Sequence, residues 1–222
     1  MTRRTGTVAE LIHGRYVAPR RARVLSRHLA PLIPAQSHVL DIGCGDGTLS
    51  ALIAQERPDL RMEGVEVLAR PGSRIPVRVF NGVVLPYREA SIDVALLVDA
   101  LHHTEDPMVL LREARRVARQ ALVIKDHLLQ GFLAGPTLRL MDDVGNARFH
   151  VALPHTYWPK ARWLEAFAQL GLSVGAWLET LGLYPWPATW LFDRSLHFVA
   201  RLDVAPPRTQ DPSGIVQASQ SS

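Results

Sequence analysis

Cysteine and lysine are scarce in this sequence. Among its 222 residues, Cys44 is the single cysteine, and Lys125 and Lys160 are the only lysines. One thiol cannot form an internal disulfide, and Cys44 stands in no metal-ligand spacing such as C-x-x-C. The sequence therefore excludes a disulfide-stabilised scaffold and indicates a chain from a reducing compartment.

Long hydrophobic runs are also missing. No run of apolar residues reaches the roughly 18 that a transmembrane helix needs, and the polar, basic residues 1–10 are followed by no apolar core of a signal peptide. We therefore expect a cytoplasmic protein without a transmembrane segment. With 47% hydrophobic and 21% charged residues, the composition is typical of one globular domain that can bury a full core.

Positive charge is concentrated near the N-terminus. The formal net charge is +4, yet residues 1–30 hold seven arginines and one acid, so that the other 192 residues carry a net charge of −2. A basic protein suggests a nucleic-acid partner. Here the excess belongs to an arm, and the bias toward arginine is explained equally well by codon composition. We expect a basic helical arm or lid over residues 1–34 and do not expect nucleic acid as the main partner.

Apolar periodicity predicts strands that alternate with helices. Short apolar runs predict strands at residues 38–42, 61–67, 77–80, 92–98 and 121–125, followed by strands near 173–178 and 196–202. Apolar residues at helical spacing predict helices at 19–32, between Gly47 and Pro58, at 107–117 and at 159–170. Elements in this order are typical of βαβ units with a parallel sheet.

The most informative stretch is the glycine loop, residues 43–47 of the run VLDIGCGDG. A strand leads straight into the glycines and a helix follows, so that a ligand can approach the backbone and the free N–H groups of the helix start. Glu66 ends the second predicted strand, where its carboxylate can accept hydrogen bonds from both ribose hydroxyls of a nucleoside-like cofactor. The spacing is G-x-G-x-G, with Thr48 in place of a last glycine, which disfavours NAD.

Four motifs in this order resemble the class I S-adenosylmethionine-dependent methyltransferases, and especially the group called methyltransferase type 11. The motifs are VLDIGCGDG at 39–47, GVEV at 64–67, NGVVLPY at 81–87 and IDVALLVDALHHTEDP at 92–107. The sequence departs from the family pattern in two places, with Glu66 and Asn81 where the family usually has aspartate. The resemblance implies S-adenosylmethionine as the cofactor.

The resemblance also implies the fold. We expect an α/β protein with a Rossmann-like, doubly wound, mostly parallel seven-stranded sheet, an antiparallel last strand and three α/β/α layers. The methyltransferase domain would span residues 35–204, with an acceptor-side insertion at 126–162. Residues 205–222 are rich in proline, glutamine and serine and have no apolar period, which predicts a disordered tail.

By the resemblance, one group of residues holds the methionine part of the cofactor. Gly43, Cys44 and Gly45 would pass the backbone close to it, and Asp41 would orient the loop and contact the ammonium group of the cofactor through water. For Cys44, simple packing under the loop is an equal alternative. Asp46 is expected to cap the helix or to face solvent.

A second group would hold the nucleoside part, again by the resemblance. Glu66 would bind the ribose, Asn81 and Gly82 would border the adenine, and Val98 would line the floor at the end of the fourth strand. The amide oxygen of Asn81 can accept from the adenine amino group in place of the family's carboxylate.

Histidines follow the fourth and fifth predicted strands, at the edge where an acceptor must approach the sheet. Methyl transfer needs alignment above all, and a base only where the acceptor loses a proton. Candidates for the base are His102 and His103 after the fourth strand, and His127 after the fifth, which Asp126 could orient, since histidine titrates near neutral pH. For His102 and His103 a structural role stays open, because this pair is common in the family whatever the substrate.

The acceptor-side insertion leaves several roles open. Its polar residues Asp142, Asp143, His150 and His155 match no zinc spacing, so we expect no metal and ordinary hydrogen-bonded roles. Eleven of the 15 aromatic residues fall between residues 149 and 198. They would either pack in the core or form the wall of an acceptor pocket.

The leading interpretation is an enzyme that methylates a small-molecule or lipid-precursor acceptor by in-line displacement, since the body is not basic. One alternative is a nucleic-acid methyltransferase that uses the arginine-rich arm. Another is a non-catalytic binding module with the methyltransferase fold, and a nicotinamide oxidoreductase is the remaining class. The sequence predicts neither the acceptor, nor the methylated atom, nor the oligomeric state.

Overall fold

The computed structural model describes residues 16–68, 70–146, 154–186, 188–192 and 195–205. Residues 206–222 of the predicted disordered tail and residues 1–15 of the predicted arm lie outside the described residues. In the described part of the chain, no helix is long and apolar enough to cross a membrane.

Seven strands form one sheet. They are β1 (His38–Ile42), β2 (Arg61–Glu66), β3 (Val77–Val79), β4 (Ile92–Val98), β5 (Ala118–His127), β6 (Leu172–Leu178) and β7 (His197–Val204). Their order is β3-β2-β1-β4-β5-β7-β6. Neighbours among β1 to β5 are parallel, and β7 is antiparallel to both β5 and β6. The predicted sheet with its antiparallel last strand is confirmed.

Within the described ranges, six α-helices connect or flank the strands. They are α1 (Ala18–Leu29), α2 (Thr48–Glu56), α3 (Pro107–Val117), α4 (Ala134–Asn146), α5 (Lys160–Gln169) and α6 (Ala188–Phe192). Asp106 caps α3, because its side chain accepts a hydrogen bond of 2.9 Å from the backbone N–H of Met108, and Pro107 occupies the first turn. Helix α4 was not predicted from the sequence. Its first turn contains Gly135 and Pro136, and this pair is typical of a loop.

The fifth strand is longer than the sequence predicted. Its antiparallel pairing with β7 continues through Asp126 and His127, which lie opposite Phe198 and His197. These two residues therefore belong to the strand, where they had been expected to follow it. Pairing with a distant strand is a tertiary effect that local apolar patterns do not record.

The helices cover both faces of the sheet. On one face, Leu29 of α1 and Ile53 of α2 are fully buried in one apolar cluster. On the other face, Leu111 of α3 and Trp163 of α5 are fully buried in a second cluster. Successive strand residues point to opposite faces and so contribute to both clusters. The sheet therefore lies between two layers of helices, which is the predicted three-layer arrangement.

The carboxyl ends of β1, β2, β4 and β5 meet at one edge of the sheet, called the carboxyl edge below. Helix α1 packs there against the loop after β6, since Nε2 of His28 lies 2.9 Å from the carbonyl oxygen of Leu181 and Arg20 donates to that of Gly182. Helix α4 is held by a small apolar cluster that includes Leu138 and Leu196. Ligands at the carboxyl edge would meet these elements.

Candidate functional site

The glycine loop joins β1 to α2 at the carboxyl edge. Gly43, Gly45 and Gly47 have φ angles of +78°, +60° and +72°, a region that residues with a Cβ adopt reluctantly. The backbone N–H groups of Gly43 and Cys44 both donate to the carbonyl oxygen of Val65, at 2.9 and 3.2 Å. These bonds fasten the loop to β2.

Cys44 packs beneath this loop. A Cβ atom built on Gly64 would lie 2.5 Å from Sγ of Cys44, so the thiol fills the space that a glycine in β2 leaves open. Burial, together with the nearby charges of Asp41 and Glu66, raises the pKa of the Cys44 thiol to about 12. The thiol is therefore uncharged, which favours the packing alternative over a chemical role.

Glu66 lies between the loop and the end of β2. Its Oε2 accepts a hydrogen bond of 2.8 Å from the backbone N–H of Gly45, and its Oε1 accepts one of 2.8 Å from that of Val67. A carboxylate has about four lone-pair sites, so two remain for hydroxyl donors. The guanidinium of Arg70 stands over the loop, 3.3 Å from a Cβ built on Gly45.

Asp41 is buried beneath the loop, with only 3% of its surface exposed. Ser50 of α2 donates a hydrogen bond of 2.6 Å to its Oδ2. Burial is the main cause that raises the pKa of Asp41 to about 7, and the charge of Glu66 acts in the same direction. A cation close to Asp41 would favour its ionised form. Asp46, in contrast, is exposed, as expected, and its side chain accepts a hydrogen bond from the N–H of Thr48, although Gly47 is the N-cap residue of α2.

Asn81 uses its amide oxygen within its own turn. That oxygen accepts hydrogen bonds from the backbone N–H groups of Val83 and Val84, at 3.0 and 2.8 Å. Its two lone pairs are thereby engaged, so the expectation that this oxygen accepts from adenine does not fit. The amide N–H groups remain to donate to a ring nitrogen. Gly82 (φ +79°) follows in the turn, and Val98 ends β4, half-buried.

A second polar cluster lies at the ends of β4 and β5. His102, Asp126 and His127 are almost fully buried, with exposed fractions of 1%, 0% and 3%. Oδ1 of Asp126 lies 2.7 Å from Nδ1 of His102, and Oδ2 accepts from the backbone N–H of Leu101. The predicted contact between Asp126 and His127 is present, with Nδ1 of His127 3.4 Å from Oδ1 of Asp126. The contact of Asp126 with His102 is the shorter of the two.

Two residues of the acceptor-side insertion complete this cluster. Oδ2 of Asp142, in α4, lies 3.4 Å from Nε2 of His102. The hydroxyl of Tyr157 donates to the same Asp142 oxygen. The sequence missed both roles, because α4 was not predicted and no local pattern joins an aspartate in a helix to a histidine in a distant turn.

The three histidines differ in charge. Although burial lowers it, the pKa of His102 is raised to about 10 by Asp126 and Asp142. Burial and the charge of His102 lower the pKa of His103 to about 4, and the same two causes lower that of His127. At neutral pH His102 is therefore a cation, whereas His103 and His127 are neutral.

His103 is the more accessible of the two neutral histidines. Its ring lies 4.0 Å from that of His102, centroid to centroid, and the residue is half-buried. Its Nδ1 is nevertheless buried and, within the described residues, has no hydrogen-bond partner. His127 is 3% exposed. Of the three predicted residues His127, Asp126 and His103, the structure therefore leaves His103 the best placed to meet a ligand.

Asp99 links this cluster to α1. It follows Val98 with a φ of +52°, a strained conformation for a residue with a side chain. Its Oδ1 pairs with the fully buried Nζ of Lys125, and its Oδ2 accepts a hydrogen bond of 3.0 Å from Arg21 of α1. These cations hold the pKa of Asp99 well below its usual range despite its burial.

Asp99, His102 and His127 could each offer one ligand atom to a metal, since three such atoms lie within 4.8 Å of one another. The ammonium group of Lys125 already pairs with Asp99, and Nδ1 of His102 is engaged by Asp126. A bound cation would have to displace both interactions. The expectation of no metal stays a prediction.

The aromatic residues near the C-terminus divide between the two expected roles. Trp163 and Phe167 of α5 are 0% and 1% exposed and pack in the core. Trp186, in the loop after β6, is 87% exposed. Tyr157 contacts the polar cluster, with its ring centroid 5.7 Å from that of His127.

Comparison with known proteins places the chain among methyltransferases. The model of the methyltransferase domain family matches residues 13–174. The 27-O-demethylrifamycin SV methyltransferase of Amycolatopsis mediterranei is 31% identical over 128 residues, which are 50% of this chain and 47% of that protein. O-methyltransferase resE of Aspergillus sclerotiorum is 29% identical over 131 residues, 52% of this chain and 47% of that protein. The chain thus spans about half the length of these curated relatives.

Solved structures agree with this fold. One is a methyltransferase in complex with the Haloferax volcanii Trm112 methyltransferase activator, with a TM-score of 0.62 and 16% identity over 90% of this chain and 98% of that one. Another is the geranyl diphosphate C-methyltransferase of Streptomyces coelicolor, with a TM-score of 0.61 and 14% identity over 82% and 76%. At such identities the likeness shows the fold alone. Because the family model covers most of its length, the chain belongs to the methyltransferase domain family, the class I methyltransferases that use S-adenosylmethionine.

Proposed function

We propose that the protein transfers a methyl group from S-adenosylmethionine to an oxygen of a small-molecule acceptor. The observation that carries this proposal is the meeting of two sites at the carboxyl edge. The glycine loop, with Glu66 bonded to Gly45, lies on one side, and the neutral, half-buried His103 lies on the other. The choice of oxygen is supported by the names of two curated relatives, O-methyltransferase resE and 27-O-demethylrifamycin SV methyltransferase.

The residues of the glycine loop fit the cofactor chemically. Glu66 has acceptor capacity left for the ribose hydroxyls, and Asp41 is a buried carboxyl that would gain from the cofactor's ammonium group. Left-handed glycines at 43 and 45 leave the backbone free of Cβ atoms on the side where the methionine part would lie. When bound, the cofactor supplies a methyl group on a positively charged sulfonium, which is already activated for displacement.

His103 is the residue that we assign to the acceptor's proton. The ring is half-buried and neutral at physiological pH, and its Nδ1 is buried without a hydrogen-bond partner among the described residues. The proton would leave the acceptor oxygen for an imidazole nitrogen of His103 as the oxygen–methyl bond forms and the sulfur–methyl bond breaks. His127 is the second candidate, and Asp126 acts through His102 as a positioning residue.

The rest of the site supplies alignment and excludes water. The carboxyl edge is bordered by helix α1, by the loop after β6 and by helix α4. A hydrogen bond from Arg21 to Asp99 joins α1 to this edge. In-line displacement gains most of its rate from such alignment, because the donor needs little further activation.

Nucleic acid is the second candidate for the acceptor. Arg20, Arg23 and Arg27 are exposed on one face of α1 and, with Val24, line a shallow cavity of about 380 Å³. Phosphate contacts of this kind give binding that strengthens steeply at low salt. If neither RNA nor DNA binds at low salt, this candidate is eliminated.

Calorimetry tests the cofactor assignment. S-adenosylhomocysteine, the product form of the cofactor, is expected to bind the protein, and NAD is not. Binding of NAD without binding of S-adenosylhomocysteine would overturn the proposed function.

A further inference from the structure

The ring of His102 is held between two carboxylates that come from distant parts of the chain. Asp126 of β5 lies 2.7 Å from Nδ1, and Asp142 of α4 lies 3.4 Å from Nε2. Both ring nitrogens therefore face an acceptor, so the ring donates from both sides only as an imidazolium. His102 is 1% exposed, and water cannot replace either carboxylate without a rearrangement.

Asp142 reaches this position because two segments of the acceptor-side insertion dock at the turn that bears His102. The backbone N–H of Thr156 donates to the carbonyl oxygen of His102 at 3.2 Å, and the next residue, Tyr157, donates through its hydroxyl to Asp142. Leu138, one turn before Asp142 in α4, is fully buried in the small apolar cluster that Tyr157 borders. The side chain of Asp142 is thereby oriented from both its own helix and the neighbouring segment.

We propose that Asp142 and Tyr157 are positioning residues of the acceptor site, which fix His102 as a buried cation between two carboxylates and so hold the turn that carries His103 in place at the carboxyl edge. The geometry of the clamp stands on its own, and its part in the reaction rests on the proposed function. Nothing in the sequence motifs assigns a role to either residue.

The electrostatic argument concerns the rings on either side of His102. Those of His103 and His127 lie 4.0 and 4.3 Å from it, centroid to centroid. A cation at such a distance opposes a second positive charge, so a fixed imidazolium at His102 keeps both neighbours unprotonated. The titratable groups that face His102 are Asp99 after β4, His103 of the same turn, Asp126 and His127 of β5, Asp142 of α4, and Tyr157.

Nitrogen NMR of histidine-labelled protein tests the clamp directly, because ring nitrogen shifts report protonation at each site. In the wild type, both ring nitrogens of His102 are expected to stay protonated well above neutral pH. Asp142→Asn is expected to lower the pKa of His102 by about one to three units, the range for loss of an opposite charge at this distance. Asp143→Asn is the matched control, since it removes the same charge one residue along α4 from a side chain that is 63% exposed.

Two outcomes would overturn the proposal: a wild-type His102 that is neutral near pH 8, or an Asp142→Asn variant whose His102 titrates as in the wild type. If Asp142→Asn does not fold, Asp142→Glu replaces it, and a displaced carboxylate should still lower the pKa of His102 while Asp143→Glu does not. The wild-type titration requires no variant at all.

A second readout separates the clamp from the proposed function. Asp142→Asn and Tyr157→Phe are expected to slow transfer of labelled methyl in a metabolite extract at least tenfold while the affinity for S-adenosylhomocysteine changes less than twofold. Unchanged transfer by both variants contradicts the positioning role. If the wild type binds no S-adenosylhomocysteine, the proposed function fails, whereas the nitrogen titration of His102 still decides whether the clamp exists.

Discussion

The backbone N–H of Gly45 donates a hydrogen bond of 2.8 Å to Oε2 of Glu66. This bond joins the glycine loop after β1 to the end of β2, so that the two parts expected to hold the methionine and ribose portions of the cofactor are coupled. If Glu66 binds the ribose as proposed, a change at Glu66 acts on cofactor binding twice, through the lost ribose contact and through a loosened loop.

Glu66→Gln is expected to weaken the binding of S-adenosylhomocysteine about tenfold to a hundredfold, because hydrogen bonds to a charged group contribute about 1.5–3 kcal/mol. Calorimetric titration measures the dissociation constant. Glu89→Gln, at an exposed acid, serves as the control and should bind as the wild type does. An affinity of Glu66→Gln equal to that of the control would contradict the assigned ribose site.

Gly64→Ala is expected to destabilise the fold. The new Cβ would lie 2.5 Å from Sγ of Cys44, and such overpacking costs about 1–3 kcal/mol in unfolding free energy. Urea denaturation measures the loss. Gly135→Ala is the control, since a Cβ there meets its nearest neighbour at an ordinary 3.7 Å. A Cβ on Gly64 would also lie 2.8 Å from Cβ of Cys44, so the double variant carries Cys44→Gly, which removes both atoms. If this double variant recovers no stability relative to Gly64→Ala, the packing role of Cys44 is wrong.

The pH dependence of stability is expected to change in Asp41→Asn. Burial raises the pKa of Asp41 from 3.8 to about 7, so between these values the folded chain holds a proton that the unfolded chain releases. Asp41 therefore makes the unfolding free energy fall as the pH rises from about 4 to about 7.

Without the cofactor, Asp41→Asn should be more stable than the wild type near pH 8, by up to about 4 kcal/mol, and equal to it near pH 4. Denaturation at several pH values measures this difference. Asp46→Asn, at an exposed acid of the same loop, should parallel the wild type at every pH. If the unfolding free energies of Asp41→Asn and the wild type differ by the same amount at every pH, Asp41 does not have a raised pKa in the folded protein.

Arg21→Gln is expected to lower the unfolding free energy by about 1–2 kcal/mol, because it removes one of the arginine and lysine side chains that form ion pairs with the half-buried Asp99. Arg23→Gln changes an exposed arginine of the same helix and should stay within about 0.5 kcal/mol of the wild type. Equal effects of the two substitutions would show that the contact between α1 and the carboxyl edge contributes nothing to stability.

The strands and the glycine loop could be predicted because their signals are local. Short apolar runs predicted the same bounds for β1 and β4 that the structure has. The glycine loop could be recognised because its left-handed glycines follow one another at a regular spacing, directly after a strand. Short-range chemistry likewise identified the cap at Asp106.

The polar cluster could be predicted only in part. His103, Asp126 and His127 were found because they end neighbouring parallel strands or follow them. Asp142 and Tyr157 are far from His102 in the sequence and come close to it only when α4 packs against the sheet. No sequence spacing could therefore predict their contacts with His102. The shorter contact of Asp126, with His102, was not predicted for the same reason, since the two residues are 24 apart in the sequence.

Transfer of isotopically labelled methyl tests the central claim most directly. The protein is incubated with S-adenosylmethionine that carries a labelled methyl group and with a metabolite extract, and the small-molecule and macromolecular fractions are analysed by mass spectrometry. The account predicts a small molecule that gains one labelled methyl group in place of a hydrogen, with less product from Glu66→Gln. Label found only in nucleic acid, or in neither fraction while S-adenosylhomocysteine still binds, would contradict it.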